Sequence, residues 1–272
     1  MAYSGRLAVI AGGLGGLGTA IAQNLRRKGA HLALLYAPFE ASRREEALST
    51  AFQSKTPEKV TTIECDITSD TSVAEAFEAI EALAEERSIF PSICINAAGY
   101  VSVQPLAETS AEEARKNIVP NLLGPMIVSQ AFYRLYTTHR SAREFHINDK
   151  TVSKPPGRIV SISSQAAHVA LDGHGPYCAS KAGLNALTRC MALEWGPVGI
   201  TSNTVSPTVV LTELGKKAWA DPEKRQAMES MIPTGRFALP AEIAASVEYL
   251  CRDDSGMVNG ADLRVDGGFT IR

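Results

Sequence analysis

Seven short aliphatic and β-branched runs, spaced by longer stretches of helical period, constrain this chain more than any other feature. They are Leu7–Ala11, Leu32–Tyr36, Val60–Cys65, Ile93–Asn96, Arg158–Ser163, Thr201–Val205 and Leu263–Val265. Each reads as apolar on both alternating faces, the pattern of a strand buried between two helical layers. Helical period falls between them at Thr19–Lys28, Ser72–Glu86, Ala111–Tyr136, Ala179–Trp195 and Ala241–Cys251. Such alternation predicts one α/β domain over residues 1–272, a doubly wound parallel sheet of about seven strands with helices on both faces. Residues 139–157 are polar, aperiodic and end in Pro-Pro-Gly, which predicts an exposed surface insertion loop.

Composition narrows the partners. With 45% hydrophobic residues the chain can bury a core unaided. Its 27 basic and 29 acidic residues give a net charge of −2, so neither nucleic acid nor an anionic membrane is expected as a partner. The five cysteines form no C-x-x-C and the histidines no H-E-x-x-H, so reduced thiols and no metal are expected. No 18-residue apolar run occurs, so a transmembrane helix is not expected and a cytoplasmic location is.

The first run leads straight into Gly12-Gly13-Leu14-Gly15-Gly16-Leu17-Gly18 and then a helix. Glycines there let the backbone turn tightly and approach a pyrophosphate at the helix N-terminus, as in a Rossmann-type sheet. A second signal is Tyr177-Cys178-Ala179-Ser180-Lys181, in which residues four apart share a helical face. A neighbouring ammonium favours phenolate, so Lys181 is expected to lower the Tyr177 pKa and suit it to acid/base work. Ser164 ends a strand thirteen residues before Tyr177, Asn96-Ala97-Ala98-Gly99 ends the fourth strand at the same edge, and Asn121 lies in the long helix that follows.

Taken together, these motifs resemble the short-chain dehydrogenase/reductase family from Arg6 to Phe269, with Cys65-Asp66-Ile67, Pro207 to Thr212 and Asp266-Gly267-Gly268 as further matches. The resemblance implies that Tyr177 exchanges a proton with the substrate oxygen and Ser164 hydrogen-bonds that oxygen. It implies too that Lys181 holds the nicotinamide ribose and Asn121 positions a relay water. It further assigns the dinucleotide to Gly12, Leu14, Gly16, Leu17, Gly18, Tyr36, Ala37, Asp66, Ile67, Asn96, Ala97, Gly99, Pro207, Val210 and Thr212, together with Tyr177 and Lys181. A homotetramer is implied as well. The chain departs from the family pattern at Ala11 for Thr, Thr208 for Gly and Ala97 for Asn.

An acidic residue usually ends the second strand of an NAD-binding fold. Tyr36-Ala37-Pro38-Phe39 has none, and Arg43 and Arg44 follow, so NADP(H) is expected over NAD(H). The alternative for these arginines is a solvated helix face, paired with Glu45 and Glu46. Residues 206–235, the expected substrate-loop region, are similar to the dicarbonyl/L-xylulose reductase subgroup, although Tyr36-Ala37 stands where that subgroup carries Arg. Gln165, His174 and Trp219 match its substrate contacts, so a ketose or related small ketone is expected. Reduction of a 3-oxoacyl thioester or polycyclic aromatic ketone is the enzymatic alternative. A non-catalytic NADP(H)-sensing regulator is the alternative outside enzymes.

Overall fold

The computed structural model describes residues 2–141, 145–147 and 150–271; residues 1, 142–144, 148–149 and 272 lie outside them. The main sheet is built from β1 (Arg6–Ala11), β2 (His31–Tyr36), β3 (Val60–Glu64), β4 (Phe90–Asn96), β7 (Gly157–Ile162), β8 (Ile200–Pro207) and β9 (Asp262–Val265). All pairings are parallel, and the order β3-β2-β1-β4-β7-β8-β9 reverses direction at β1, which places a crevice beyond the carboxyl ends of β1 and β4. The seven expected runs become these seven strands, most a residue or more longer than their apolar stretch.

Alternate residues of each strand supply separate cores. Ala8, Ile10, Leu32, Leu34, Ile93 and Ile95 face one layer, where α1 (Gly16–Arg27) packs against α9 (Pro240–Cys251) and α2 (Arg44–Phe52) contributes Leu48. Leu7, Val9, Leu35, Cys94 and Ile159 face the other, formed by α3 (Asp70–Glu86) and α5 (Gly124–Ser141), while α6 (Gly175–Trp195) covers β8. A fully buried Leu or Ile stabilises by about 1.5–3 kcal/mol, so two apolar faces per central strand outweigh any local preference. The edge strands differ from expectation: β3 and β9 are only half-buried, because each lacks a neighbour on one side.

Three further expectations change. The single helix expected over Ala111–Tyr136 is α4 (Ala111–Ile118), a π-helical turn (Val119–Leu123) and α5. Pro120 has no N–H to give the helical ladder, so the break falls at that residue. The 139–157 loop is shorter than expected: its first three residues close α5, and β5 (Phe145–Ile147) pairs antiparallel with β6 (Lys150–Val152). Its residues 142–144 and 148–149 lie outside the described residues. Residues 206–235 carry two helices, α7 (Glu213–Ala218) and α8 (Pro222–Ser230), around a small cluster of Met228, Ile232 and Phe237.

Candidate active site

The crevice is a cleft of about 770 Å³, within the range of about 300–1,000 Å³ usual for cofactor sites. Gly12, at the end of β1, has φ +74°, and a Cβ there would lie 2.6 Å from the Ala98 nitrogen. Only glycine lets β1 and the β4 end approach so closely. Gly15 caps α1 with no side-chain hydrogen bond, so the first N–H groups of a 12-residue helix remain available to an anion. Gly16 and Gly18 form its first turn, and a Cβ at Gly16 would lie 2.8 Å from Thr212 Cβ. These features fit a pyrophosphate-bearing dinucleotide. Gly12→Ala is expected to weaken NADH or NADPH binding about tenfold or more, since a left-handed alanine alone costs about 1–2 kcal/mol. A fluorescence titration showing unchanged affinity would remove the loop's role as cradle.

Six residues assigned to the dinucleotide line this cleft: Gly12, Ala37, Asp66, Ile67, Ala97 and Gly99. Others sit behind it. Leu14 and Tyr36 put their side chains into the core, which leaves their backbone to face outward, and Leu17 packs half-buried against it. Asn96 is buried, donates from Nδ2 to the hydroxyls of Ser129 (3.0 Å) and Ser161 (3.1 Å), and leaves Oδ1 without a partner. Asp66 Oδ1 accepts from the Thr68 N–H (2.9 Å) and hydroxyl (2.7 Å), a tight turn after β3. Pro207 ends β8 buried, Val210 bridges to Ala238, and Thr212 caps α7 by accepting the Gly215 N–H at 3.1 Å.

Sequence reasoning missed part of the wall. Arg115, Lys116 and Glu112 of α4 line the cleft, as do Tyr100 and Glu40. Glu40 belongs to the 3₁₀ turn Pro38–Arg43, is only 6% exposed, and accepts the Ala37 N–H at 3.0 Å while pairing with Arg43. The alternative pairing of the arginines with Glu45 and Glu46 is not the one seen: Arg43 meets Glu40, and Glu45 meets Lys55. The available signal was half of a capping box, Glu40 three residues after Ala37, whose methyl side chain cannot supply the other half.

The catalytic candidates converge at the carboxyl edge of β4 and β7. Because α6 begins at Gly175, four residues before the helical stretch read from sequence, Tyr177 and Lys181 share one helix, with Lys181 Nζ 5.8 Å from the phenol ring centre. Lys181 is buried and donates to the Ile162 carbonyl at 2.8 Å. Asn121 occupies the π turn rather than a regular helix; its Oδ1 accepts the Tyr100 N–H (2.8 Å), and its Nδ2 donates to the Tyr100 carbonyl (2.7 Å) and Ser180 hydroxyl (3.2 Å). A Cβ on Gly99 would lie 2.8 Å from Asn121 Oδ1 and 3.6 Å from Lys181 Nζ, so the two groups flank that glycine. Ser164 Oγ accepts the Ala166 N–H at 3.1 Å, leaving its proton to donate.

Electrostatics reverse one expectation. Burial pushes the Tyr177 phenol above its ordinary value, with the Ser164 hydroxyl pulling it back. The expected lowering by Lys181 does not appear, because burial brings Lys181 down to about 8 and it gives up its proton before the raised phenol ionises. Tyr177 is thus a protonated phenol at neutral pH, the state required of a proton donor.

Around this centre, Gln165 is 4% exposed and its Oε1 lacks a partner. His174 caps α6 beside the phenol, ring centres 6.3 Å apart, and donates from Nδ1 to the Asp172 carbonyl at 2.6 Å. Trp219 packs edge-on against Phe237 (5.3 Å) in the small cluster of the 206–235 segment, an anchor for that segment. Among the described residues, no group of His, Cys, Asp and Glu could hold a metal ion, and no helix is long and apolar enough to cross a membrane.

A phenol sharing a helix with a buried lysine, near a cleft shaped for a dinucleotide, suits the chemistry of an oxidoreductase of alcohols and carbonyls. Residues 12–270 match the family described as enoyl-(acyl carrier protein) reductase, and the chain belongs to the short-chain dehydrogenase/reductases. It is 38% identical over 268 residues to a D-threitol dehydrogenase of Mycolicibacterium smegmatis (98% of this chain, 94% of that one). An NAD-dependent glycerol dehydrogenase of Listeria innocua is 34% identical over 269 residues (98% and 94%), and an L-xylulose reductase of Mesocricetus auratus 31% over 271 (100% and 99%). Among solved structures, a short-chain type dehydrogenase/reductase from Mycobacterium marinum superposes with a TM-score of 0.83 at 27% identity, covering 99% of this chain and 97% of that one.

Proposed function

We propose that the chain is a nicotinamide-dependent polyol dehydrogenase and ketose reductase, acting on a small ketose such as L-xylulose or a shorter keto-sugar. The observation that carries this reading is Gln165, whose buried Oε1 has no partner one residue from Ser164. A turn of the amide that presents this oxygen to the pocket lets a substrate hydroxyl satisfy it, whereas an acyl chain or aromatic ring leaves it unpaired. The relatives named for threitol, glycerol and L-xylulose all act on compounds with such hydroxyls.

When bound, the nicotinamide supplies or accepts the hydride. Tyr177 gives its proton to the carbonyl oxygen, and the Ser164 hydroxyl donates to the same oxygen as negative charge develops there. Lys181 sets a positive charge under the phenol. Asn121 holds the β4 end against α6 so that Lys181 and the cleft keep their spacing. His174 flanks the phenol and offers its outer ring nitrogen to a second sugar hydroxyl.

The test is initial-rate reduction of L-xylulose, erythrulose and dihydroxyacetone against a 3-oxoacyl thioester and an aromatic ketone, with both NADH and NADPH. Saturable turnover is expected with the ketoses. Gln165→Leu is expected to raise their KM about tenfold, the loss typical of an unmade polar contact. Turnover of the thioester or aromatic ketone alone would overturn the substrate class.

A further inference from the structure

We propose that Glu40 determines which dinucleotide the chain takes, and that its carboxylate selects the free 2′-hydroxyl of NAD(H) over the 2′-phosphate of NADP(H). The inference rests on the nicotinamide-dependent reading above and departs from the preference for NADP(H) read from the strand end. No acid occupies Tyr36-Ala37-Pro38-Phe39, yet the fold delivers one to that corner. Pro38 starts a 3₁₀ turn as β2 ends, and the turn folds Glu40 back until its Oε2 accepts the Ala37 N–H at 3.0 Å. Ala37, Glu40 and Arg43 line the same cleft as Gly12 and Gly15, on the side where the second strand meets a nucleotide ribose.

The carboxylate cannot step aside. It is 6% exposed, tied through one oxygen to the backbone and through the other to Arg43. A ribose hydroxyl can donate to a remaining lone pair of either oxygen. A 2′-phosphate brings up to two negative charges against a fixed third. Arg43 does not resolve the conflict. Its other N–H groups can reach a phosphate, but its single positive charge is already matched by Glu40, so the corner stays net negative once a phosphate enters. The rest of the wall offers no surplus positive charge, since Arg43, Arg115 and Lys116 are matched by Glu40, Asp66 and Glu112.

Holding the turn does not explain the charge. A capping box works with Gln as well as Glu, because only an acceptor oxygen is required. Glu40→Gln therefore keeps the bond to Ala37 and removes the charge alone, which makes it the discriminating variant.

The experiment measures dissociation constants of NADH and NADPH by calorimetry for the wild type, Glu40→Gln and Arg43→Ala, with Tm recorded for each. The wild type is expected to bind NADH about tenfold or more tightly than NADPH, given the cost of like charges in contact. Glu40→Gln is expected to close most of that gap by tightening NADPH, at an unchanged Tm. Arg43→Ala is expected to widen it, because the carboxylate loses its neutralising partner. A wild type that binds NADPH as tightly as NADH overturns the proposal, as does a folded Glu40→Gln with an unchanged ratio. Should Glu40→Gln fail to fold, a gap that Arg43→Ala leaves unwidened overturns it. Failure of both dinucleotides to bind the folded wild type would instead remove the nicotinamide reading and this inference with it.

Discussion

Tyr177→Phe is expected to lower kcat for ketose reduction by about 10²–10⁴-fold, the contribution of a positioned general acid. Phenylalanine keeps the ring that stands 5.8 Å from Lys181 Nζ and 6.3 Å from His174, so the pocket's shape is retained. What disappears is the phenol's proton, which burial holds more firmly than water would. Dinucleotide affinity is expected to change little, because the cleft walls around Gly12, Ala37 and Asp66 do not include the Tyr177 hydroxyl. The measurement is steady-state kinetics paired with a binding titration. Activity within tenfold of the wild type would show that another group delivers the proton, and Ser164 would be the next candidate.

Lys181→Met is expected to abolish turnover while making the protein more stable. The ammonium is buried, and burial alone brings its pKa from an ordinary 10.5 to about 8. That shift corresponds to roughly 3 kcal/mol by which folding is disfavoured while the group is charged. Methionine matches the length of the chain and loses the charge-assisted bond to the Ile162 carbonyl, worth about 1.5–3 kcal/mol. A net gain of up to about 1.5 kcal/mol raises Tm by up to about 6 °C in a protein of this size. The direction with pH follows from the two pKa values. Below about 8 both folded and unfolded chains carry the proton, and the wild type bears the full penalty. Between about 8 and 10.5 the folded protein releases the proton while the unfolded chain keeps it, so wild-type stability climbs and the advantage of methionine fades. Thermal unfolding of both proteins from neutral to alkaline pH measures this directly. A methionine variant that melts below the wild type at pH 7 would show that the charge is stabilised in place.

The same competition between burial and charge explains where the sequence was readable and where it was not. Central parallel strands are apolar on both faces, so β1, β2, β4, β7 and β8 stand out in the chain. The glycine loop and the Tyr177/Lys181 spacing were equally legible, since each is a local pattern whose meaning depends on four to seven residues. Burial of β3 and β9 was overestimated because position within a sheet is a property of topology. The π turn at Asn121 was missed because apolar period continues from Ala111 to Tyr136, although Pro120, where the ladder breaks, was the local signal for it. Glu40 escaped for a related reason, since only the curl of a 3₁₀ turn returns it to the strand end. The rise of the Tyr177 pKa needed the surrounding volume, which no spacing of Tyr and Lys conveys.

Asn121 grips its neighbour by the N–H and carbonyl of Tyr100, making no use of that residue's side chain. The Tyr100 ring is 42% exposed at the cleft wall, its hydroxyl donating outward to Glu113 at 3.0 Å. An immovable backbone joint and a replaceable side chain therefore occupy one position. Evolution can exchange the group presented there, and with it the character of the cleft mouth, without disturbing the alignment behind it. A scaffold jointed in this way diversifies at its rim while its chemistry stays constant.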